Sequence, residues 1–123
     1  MTIALREGEV AMKPLLDKYP ELVNETTTGG ATPLHMCGMS REGQHSTAYL
    51  ISLGANVEAV DTYGYTPLHR MASNDLEVGA EALLSAGANL DARTPRGETA
   101  LSIARQAGAG KVIAVLKRYQ GAK

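Results

Sequence analysis

The sequence contains no Phe and no Trp, and it has only one cysteine among its 123 residues. A core without large aromatic rings must be aliphatic, which suits small and closely packed helices. Because Cys37 has no second cysteine to pair with, we expect a reducing compartment, the cytoplasm or alternatively the nucleus. No stretch approaches the roughly 18 apolar residues of a membrane span, and no secretory-type apolar run leads the domain. These absences predict a soluble protein without a membrane partner.

An excess of charge of either sign is also missing. Twelve Lys and Arg residues stand against thirteen Asp and Glu residues, which gives a net charge of -1. This balance argues against the basic surface of a nucleic-acid-binding protein. The length is that of one small domain, so we expect a single domain over residues 1–123.

What the sequence does contain is a repeat. Thr-Pro-Leu-His occurs twice, ending at His35 and at His69, 34 residues apart. A catalytic motif is normally needed once, so its recurrence indicates a building unit. Segments 53–72 and 86–105 align without a gap at a spacing of 33 residues, with Asp61 opposite Thr94 and Gly64 opposite Gly97, and segment 19–38 takes the same register. A period of about 33 with Thr-Pro-Leu-His is typical of the ankyrin repeat.

On these residues the chain resembles the ankyrin-repeat family over almost its whole length. The resemblance implies an all-α fold, an ankyrin-repeat solenoid of stacked helix–turn–helix pairs with hairpin-like turns between repeats. We expect four repeats, at approximately 1–28, 29–61, 62–94 and 95–123, of which the first lacks its own Thr-Pro-Leu-His. In that first repeat, Pro14 must lie in the first turn of the outer helix to be tolerated.

The residue pattern supports this fold independently. A threonine before each Pro can cap a helix whose first residue is the proline. In the third repeat we expect helices over about 67–74 and 77–86, the second one stopping at Gly87. The turn over residues 39–46 holds one extra residue and is irregular, and Arg105 and Gln106 form a polar cap on the last inner helix.

Two histidines and the cysteine are the candidates for chemistry. His35 and His69 can be imagined as metal ligands, or as partners of Cys37 in a nucleophilic pair. The alternative is that each ring bonds the turn backbone of its own or the next repeat. Equivalent residues of stacked repeats lie roughly 8–10 Å apart, whereas zinc requires ligand atoms within about 2.0–2.3 Å. We therefore expect no metal, no cofactor and no enzymatic activity, with Cys37 buried and inert.

The ankyrin resemblance implies a non-catalytic module that binds another protein through its hairpin tips and the concave face of its inner helices. Tyr and Arg are common interface hot spots, and Met adds adaptable apolar surface. The alternative for these side chains is structural, with Tyr65 covering its own turn and the methionines filling gaps between inner helices. Arg96 can favour an acidic partner segment or simply lie in solvent. Carried onto this sequence, the partner-binding residues are Met36, Met39, Tyr63, Tyr65, Arg70, Ser73, Asn74 and Arg96.

Three other roles remain open on the sequence. The protein can be a small regulatory or inhibitory subunit, an excised domain of a larger multidomain protein, or a hydrolase or redox enzyme that uses Cys37 and a histidine. We favour a monomeric interaction module whose protein partner the sequence does not identify.

Overall fold

The computed structural model describes residues 18, 23–26, 30–39 and 41–121. A 3-10 turn, Gly43–Ser46, precedes the second helix, and no strand occurs within those ranges. Apart from Lys18, which is helical, the helices expected in the first repeat, including the turn at Pro14, lie outside the described residues. The α-helices are α1 Pro33–Cys37, α2 Thr47–Ser52, α3 Pro67–Ser73, α4 Glu77–Ser85, α5 Ala100–Ala107 and α6 Gly110–Gly121.

The described helices form three pairs, each of one inner and one outer helix, that stack side by side in two layers. The inner helices contact one another in the order α1, α3 and α5, and the outer helices contact one another in the order α2, α4 and α6. Each inner helix also packs on the outer helix that follows it. The all-α ankyrin solenoid predicted from the repeat is therefore confirmed.

The inner helices begin as the Thr-Pro pattern predicts. Thr66 has an extended backbone at φ -83° and ψ 167°, and its Oγ1 accepts a hydrogen bond from the His69 backbone N at 3.3 Å. Thr99 caps α5 in the same way through Ser102 N, at 3.2 Å. Proline opens α1 and α3, where the missing N–H has no helical partner to lose.

The helix ends also follow the sequence. In the third repeat α3 ends at Ser73 with Asn74 as its C-cap, and α4 ends at Ser85, two residues before Gly87 at φ 93°. The next residue after Asn74 is Asp75, which has a left-handed φ of 53°. Asp75 thus takes the left-handed backbone that Gly108 takes in the last repeat, at φ 68°.

The core is aliphatic, as the absence of Phe and Trp requires. On α6, Val112, Val115 and Leu116 are buried, while Lys117 on the other face is exposed, so this helix buries one stripe. Arg105 and Gln106 are exposed at the end of the stack. The largest fully buried apolar side chains are Leu34, Leu50, Leu68, Met71, Leu76, Leu83, Leu116 and Val112.

The irregular turn, described at residue 39 and over residues 41–46, links two repeats. Gln44 is only 3% exposed, and its Oε1 accepts hydrogen bonds from the backbone N of Val78 at 3.0 Å and of Gly79 at 3.2 Å. These two N–H groups lie in the first turn of α4, where no intrahelical acceptor exists. Gln44 therefore caps the outer helix of the next repeat.

In the equivalent turn of the third repeat, Asp75 has the capping role that Gln44 has in the second. Asp75 Oδ1 accepts a hydrogen bond from Val112 N at 3.0 Å, in the first turn of α6. The turns of the second and third repeats thus each stabilise the outer helix that follows one repeat later.

Candidate functional site

Two hairpin tips, residues 61–65 and 94–98, project from one edge of the stack. In the first tip, Asp61 Oδ1 accepts hydrogen bonds from Tyr63 N at 2.9 Å and from Tyr65 N at 3.1 Å. In the second tip, Thr94 Oγ1 accepts from Arg96 N and from Glu98 N, both at 3.3 Å. A short side chain with an oxygen acceptor, at the first position of each tip, thus stabilises the turn, as the alignment of Asp61 with Thr94 predicts.

Each Thr-Pro-Leu-His histidine bonds a backbone carbonyl in or just before the next tip. Thr32 N donates to His35 Nδ1 at 3.1 Å, so Nδ1 carries no hydrogen and Nε2–H donates to the Tyr65 carbonyl at 2.7 Å. His69 repeats this pattern, accepting from Thr66 N at 3.0 Å and donating to the Ala92 carbonyl at 3.0 Å. The prediction that both rings bond turn backbone is confirmed.

These buried groups are poorly suited to chemistry. Burial lowers the pKa of both imidazoles below the usual value, although their hydrogen bonds to the Tyr65 and Ala92 carbonyls act in the opposite direction. Burial raises the pKa of the fully buried Cys37 thiol to about 12, against a hydrogen bond with Thr47 that lowers it. Over the ranges that the structure describes, no three His, Cys, Asp or Glu residues gather where they can hold a metal ion.

Arg70 is the central side chain of the exposed edge. Its Nε lies 3.1 Å and its Nη2 2.5 Å from Asp61 Oδ2, and its guanidinium carbon lies 4.4 Å from the centre of the Tyr65 ring. Burial raises the pKa of Asp61, but the hydrogen bonds from Arg70 and from the Tyr65 and Tyr63 backbone outweigh this and hold that pKa below its ordinary value. Asp61 thus fixes both the turn and the cation beside it.

A cleft of about 340 Å³ lies between the two tips. A Cβ added to Gly64 would collide with the Pro95 ring, so only glycine permits the close approach that sets the distance between the tips. Gly64 also has a φ of 77°, which side chains rarely adopt. The cleft is lined by Tyr63, Tyr65, Arg70, Thr94, Pro95 and Arg96.

The structure brings half of the sequence-predicted partner residues into this cleft. Tyr63 is 69% exposed at the mouth of the cleft, and Tyr65, Arg70 and Arg96 also line the cleft. Thr94 did not stand out in the sequence. Its alignment with the tip-forming Asp61 is the signal that would have found it.

The other four predicted residues lie along the inner helices, away from the cleft. Met36 is half-buried against the core, whereas Met39 is 57% exposed. Ser73 Oγ donates to the Arg70 carbonyl at 3.0 Å, and Asn74 Nδ2 donates to the Gly38 carbonyl of the preceding repeat at 2.6 Å. Asn74 therefore has a structural role in joining two repeats.

The repeat geometry agrees with comparisons against known proteins. A family model described as ankyrin repeats (3 copies) matches residues 39–123, which is more than half of the chain. The chain therefore belongs to the ankyrin-repeat family. Ankyrin repeats are protein–protein interaction modules and are generally non-catalytic.

Its relatives are longer proteins that carry such repeats. The chain is 43% identical over 76 residues to the human "Ankyrin repeat and SOCS box protein 18", covering 61% of this chain and 16% of that protein. It is 35% identical over 120 residues to "Tyrosine-protein kinase Shark" of Drosophila melanogaster, covering 95% of this chain and 12% of that protein. The chain thus spans a minor part of the length of these curated relatives. None of the described helices has the length and apolar character needed to cross a membrane.

Proposed function

We propose that this chain is a non-catalytic interaction module that binds a partner protein through its hairpin tips and concave inner-helix face. The observation that carries the proposal is the cleft between the two tips, where an exposed tyrosine, a proline and two arginines converge. Tyr and Arg are the residue types most enriched at interface hot spots. We propose as contact residues Met36, Met39, Tyr63, Tyr65, Arg70, Ser73, Asn74 and Arg96.

The mechanism is binding by a surface that is already ordered. Tyr65 is held by its backbone bonds to Asp61 and to His35 Nε2, and its ring lies under the Arg70 guanidinium and 5.8 Å from the His69 ring. Side chains that are immobile before binding lose little conformational entropy when a partner arrives. Tyr65 and Arg70 are therefore ordered before binding, and Tyr63 and Arg96 are exposed and available to contact the partner.

The same proposal includes the wider properties of the chain. We propose four repeats over about 1–28, 29–61, 62–94 and 95–123, a monomer in the cytoplasm or nucleus, and no nucleic-acid, membrane or enzymatic role. The buried state of Cys37 supports the last of these, because a nucleophile must be accessible and readily ionised.

A second candidate role is favoured by the relatives. They carry the matching region as 12% and 16% of much longer chains. This supports the alternative that the module serves as the partner-binding region of a larger protein. The same cleft would then bind the partner.

Affinity capture from a native lysate tests the interaction through a matched pair of variants. Tyr63→Ala/Arg96→Ala removes two exposed cleft side chains, and Lys111→Ala/Lys117→Ala removes two exposed side chains of the outer helix α6. Tyr65 and Arg70 are left intact because they hold the tip. We expect a protein that is retained by the wild type and the α6 variant but lost from the cleft variant. Proteins retained equally by all three would contradict binding at the cleft.

A further inference from the structure

Two arginines line the cleft, and they differ in whether an acidic side chain pairs with them. Arg70 is neutralised by Asp61, whose side chain is 3% exposed, and it is only 22% exposed itself. Arg96 is exposed, and among the described residues no acidic side chain pairs with its guanidinium. The cleft therefore carries one unpaired positive charge, at its outer wall.

Neighbouring acids do not cancel this charge within the cleft. Glu98, the acidic residue of the same tip, is half-buried, accepts a hydrogen bond from Thr94 Oγ1 at 3.3 Å and does not line the cleft. Asp61 already accepts hydrogen bonds from Arg70 and from two backbone N–H groups. A planar guanidinium with free N–H donors binds a carboxylate through two parallel hydrogen bonds.

The rest of the lining suits an apolar side chain. Tyr63 on one tip and Pro95 on the next tip form two walls of the cleft, and Arg70 covers the Tyr65 ring. A volume of about 340 Å³ lies at the small end of ligand pockets, roughly 300–1,000 Å³, which is room for one or two side chains rather than a domain.

We propose that the cleft binds an acidic, extended segment of the partner protein, with an Asp or Glu carboxylate on Arg96 and an adjacent apolar side chain between Tyr63 and Pro95. This inference rests on the proposed function and specifies its partner. Charge complementarity on an exposed rim acts strongly on the rate and specificity of association, so the acidic residue selects the segment and the apolar residue anchors it.

Defined peptide pools test the inference without knowledge of the partner. Short fluorescein-labelled peptides are random except for one Leu or Tyr flanked by a fixed pair of Glu, Gln, Lys or phosphoserine residues. Their binding to the purified chain is followed by fluorescence anisotropy at low and at physiological ionic strength, because salt screens exposed charge pairs. We expect the Glu pool to bind about tenfold more tightly than the Gln pool, equivalent to about 1.4 kcal/mol.

Two charge-reversal variants locate the effect. Arg96→Glu should abolish the preference for the Glu pool and make the Lys pool the tightest binder. Lys117→Glu makes the same change of charge on the exposed face of α6 and should leave the preference unaltered. Circular dichroism of both variants establishes that they are folded before binding is compared.

The outcomes separate this inference from the proposed function. A Glu preference that survives Arg96→Glu, equal binding of all pools, or binding of the phosphoserine pool alone would overturn the acidic-segment proposal. If a partner is nevertheless lost specifically from the Tyr63→Ala/Arg96→Ala variant in the capture experiment, the interaction module stands with a partner of different chemistry. Equal pools together with unselective capture would overturn both.

Discussion

Replacing Gln44 by methionine should loosen the joint between the second and third repeats. Methionine has nearly the same length and shape but lacks the Oε1 acceptor, so the Val78 and Gly79 N–H groups lose their partner. Gly79 is buried, and water cannot reach its N–H without a shift of the turn. The loss of a helix N-cap costs about 0.5–2 kcal/mol, and an unsatisfied buried donor costs roughly 1–3 kcal/mol. We therefore expect Gln44→Met to lower the free energy of unfolding by about 2 kcal/mol.

Urea denaturation followed by far-UV circular dichroism measures this change, and amide hydrogen exchange locates it. Gln106→Met is the matched control, because Gln106 is exposed at the end of α5 and a surface change of this kind usually stays within about 0.5 kcal/mol. The Val78 and Gly79 amides should exchange faster in Gln44→Met than in the control. Equal unfolding midpoints in the two variants, or unchanged exchange at these two amides, would refute the capping role of the irregular turn.

Three further predictions concern Asp75, the two buried histidines and Cys37. Asp75→Ala should destabilise the protein by about 1–2 kcal/mol in urea, because alanine lacks both the acceptor for the Val112 N–H and the short polar side chain that tolerates a left-handed φ. Asp75→Asn keeps both features, so equal losses in the two variants would contradict this. His35 and His69 have a lower pKa in the folded chain than the usual value of about 6.5, so the unfolded chain binds more protons below that pH. The urea concentration at the unfolding midpoint should therefore decrease as the pH is lowered from about 7 to about 5. A His35→Gln/His69→Gln variant should lose most of this dependence. Cys37, fully buried with a pKa of about 12, should react with Ellman's reagent at neutral pH only after urea unfolds the chain, and rapid native labelling would contradict an inert thiol.

Local and periodic features were the ones that the sequence predicted well. The Thr-Pro pair marks the start of α1 and α3 because the cap and the first helical residue are adjacent in the chain. Tyr63, Tyr65, Arg70 and Arg96 were assigned to the partner surface from the ankyrin resemblance and their residue types. They line one cleft because the solenoid places equivalent positions side by side.

Contacts between repeats were not predictable in the same way. Gln44 and Asp75 differ in type and in local sequence, yet each caps a helix that begins more than thirty residues later. Nothing in the period specifies which turn residue reaches that helix. Asn74 was assigned to the partner surface, but its amide donates to the Gly38 carbonyl, a bond that depends on how closely two repeats stack.

The ion pair of Arg70 shows the same limit. Its sequence position placed it on the exposed edge, but its partner Asp61 lies nine residues away and across a turn. Because the sequence does not reveal that pairing, it did not predict that the Arg70 charge is neutralised and the Arg96 charge is not.

Site-specific photocrosslinking tests the central claim most directly. A benzophenone side chain replaces Tyr63 at the mouth of the cleft in one protein and Ala114, exposed on the outer helix α6, in the other. After irradiation in native lysate, binding through the cleft predicts a covalent adduct with a discrete partner from position 63 and none from position 114. Adducts of equal yield from both positions, or from position 114 alone, would contradict an interaction surface at the hairpin tips.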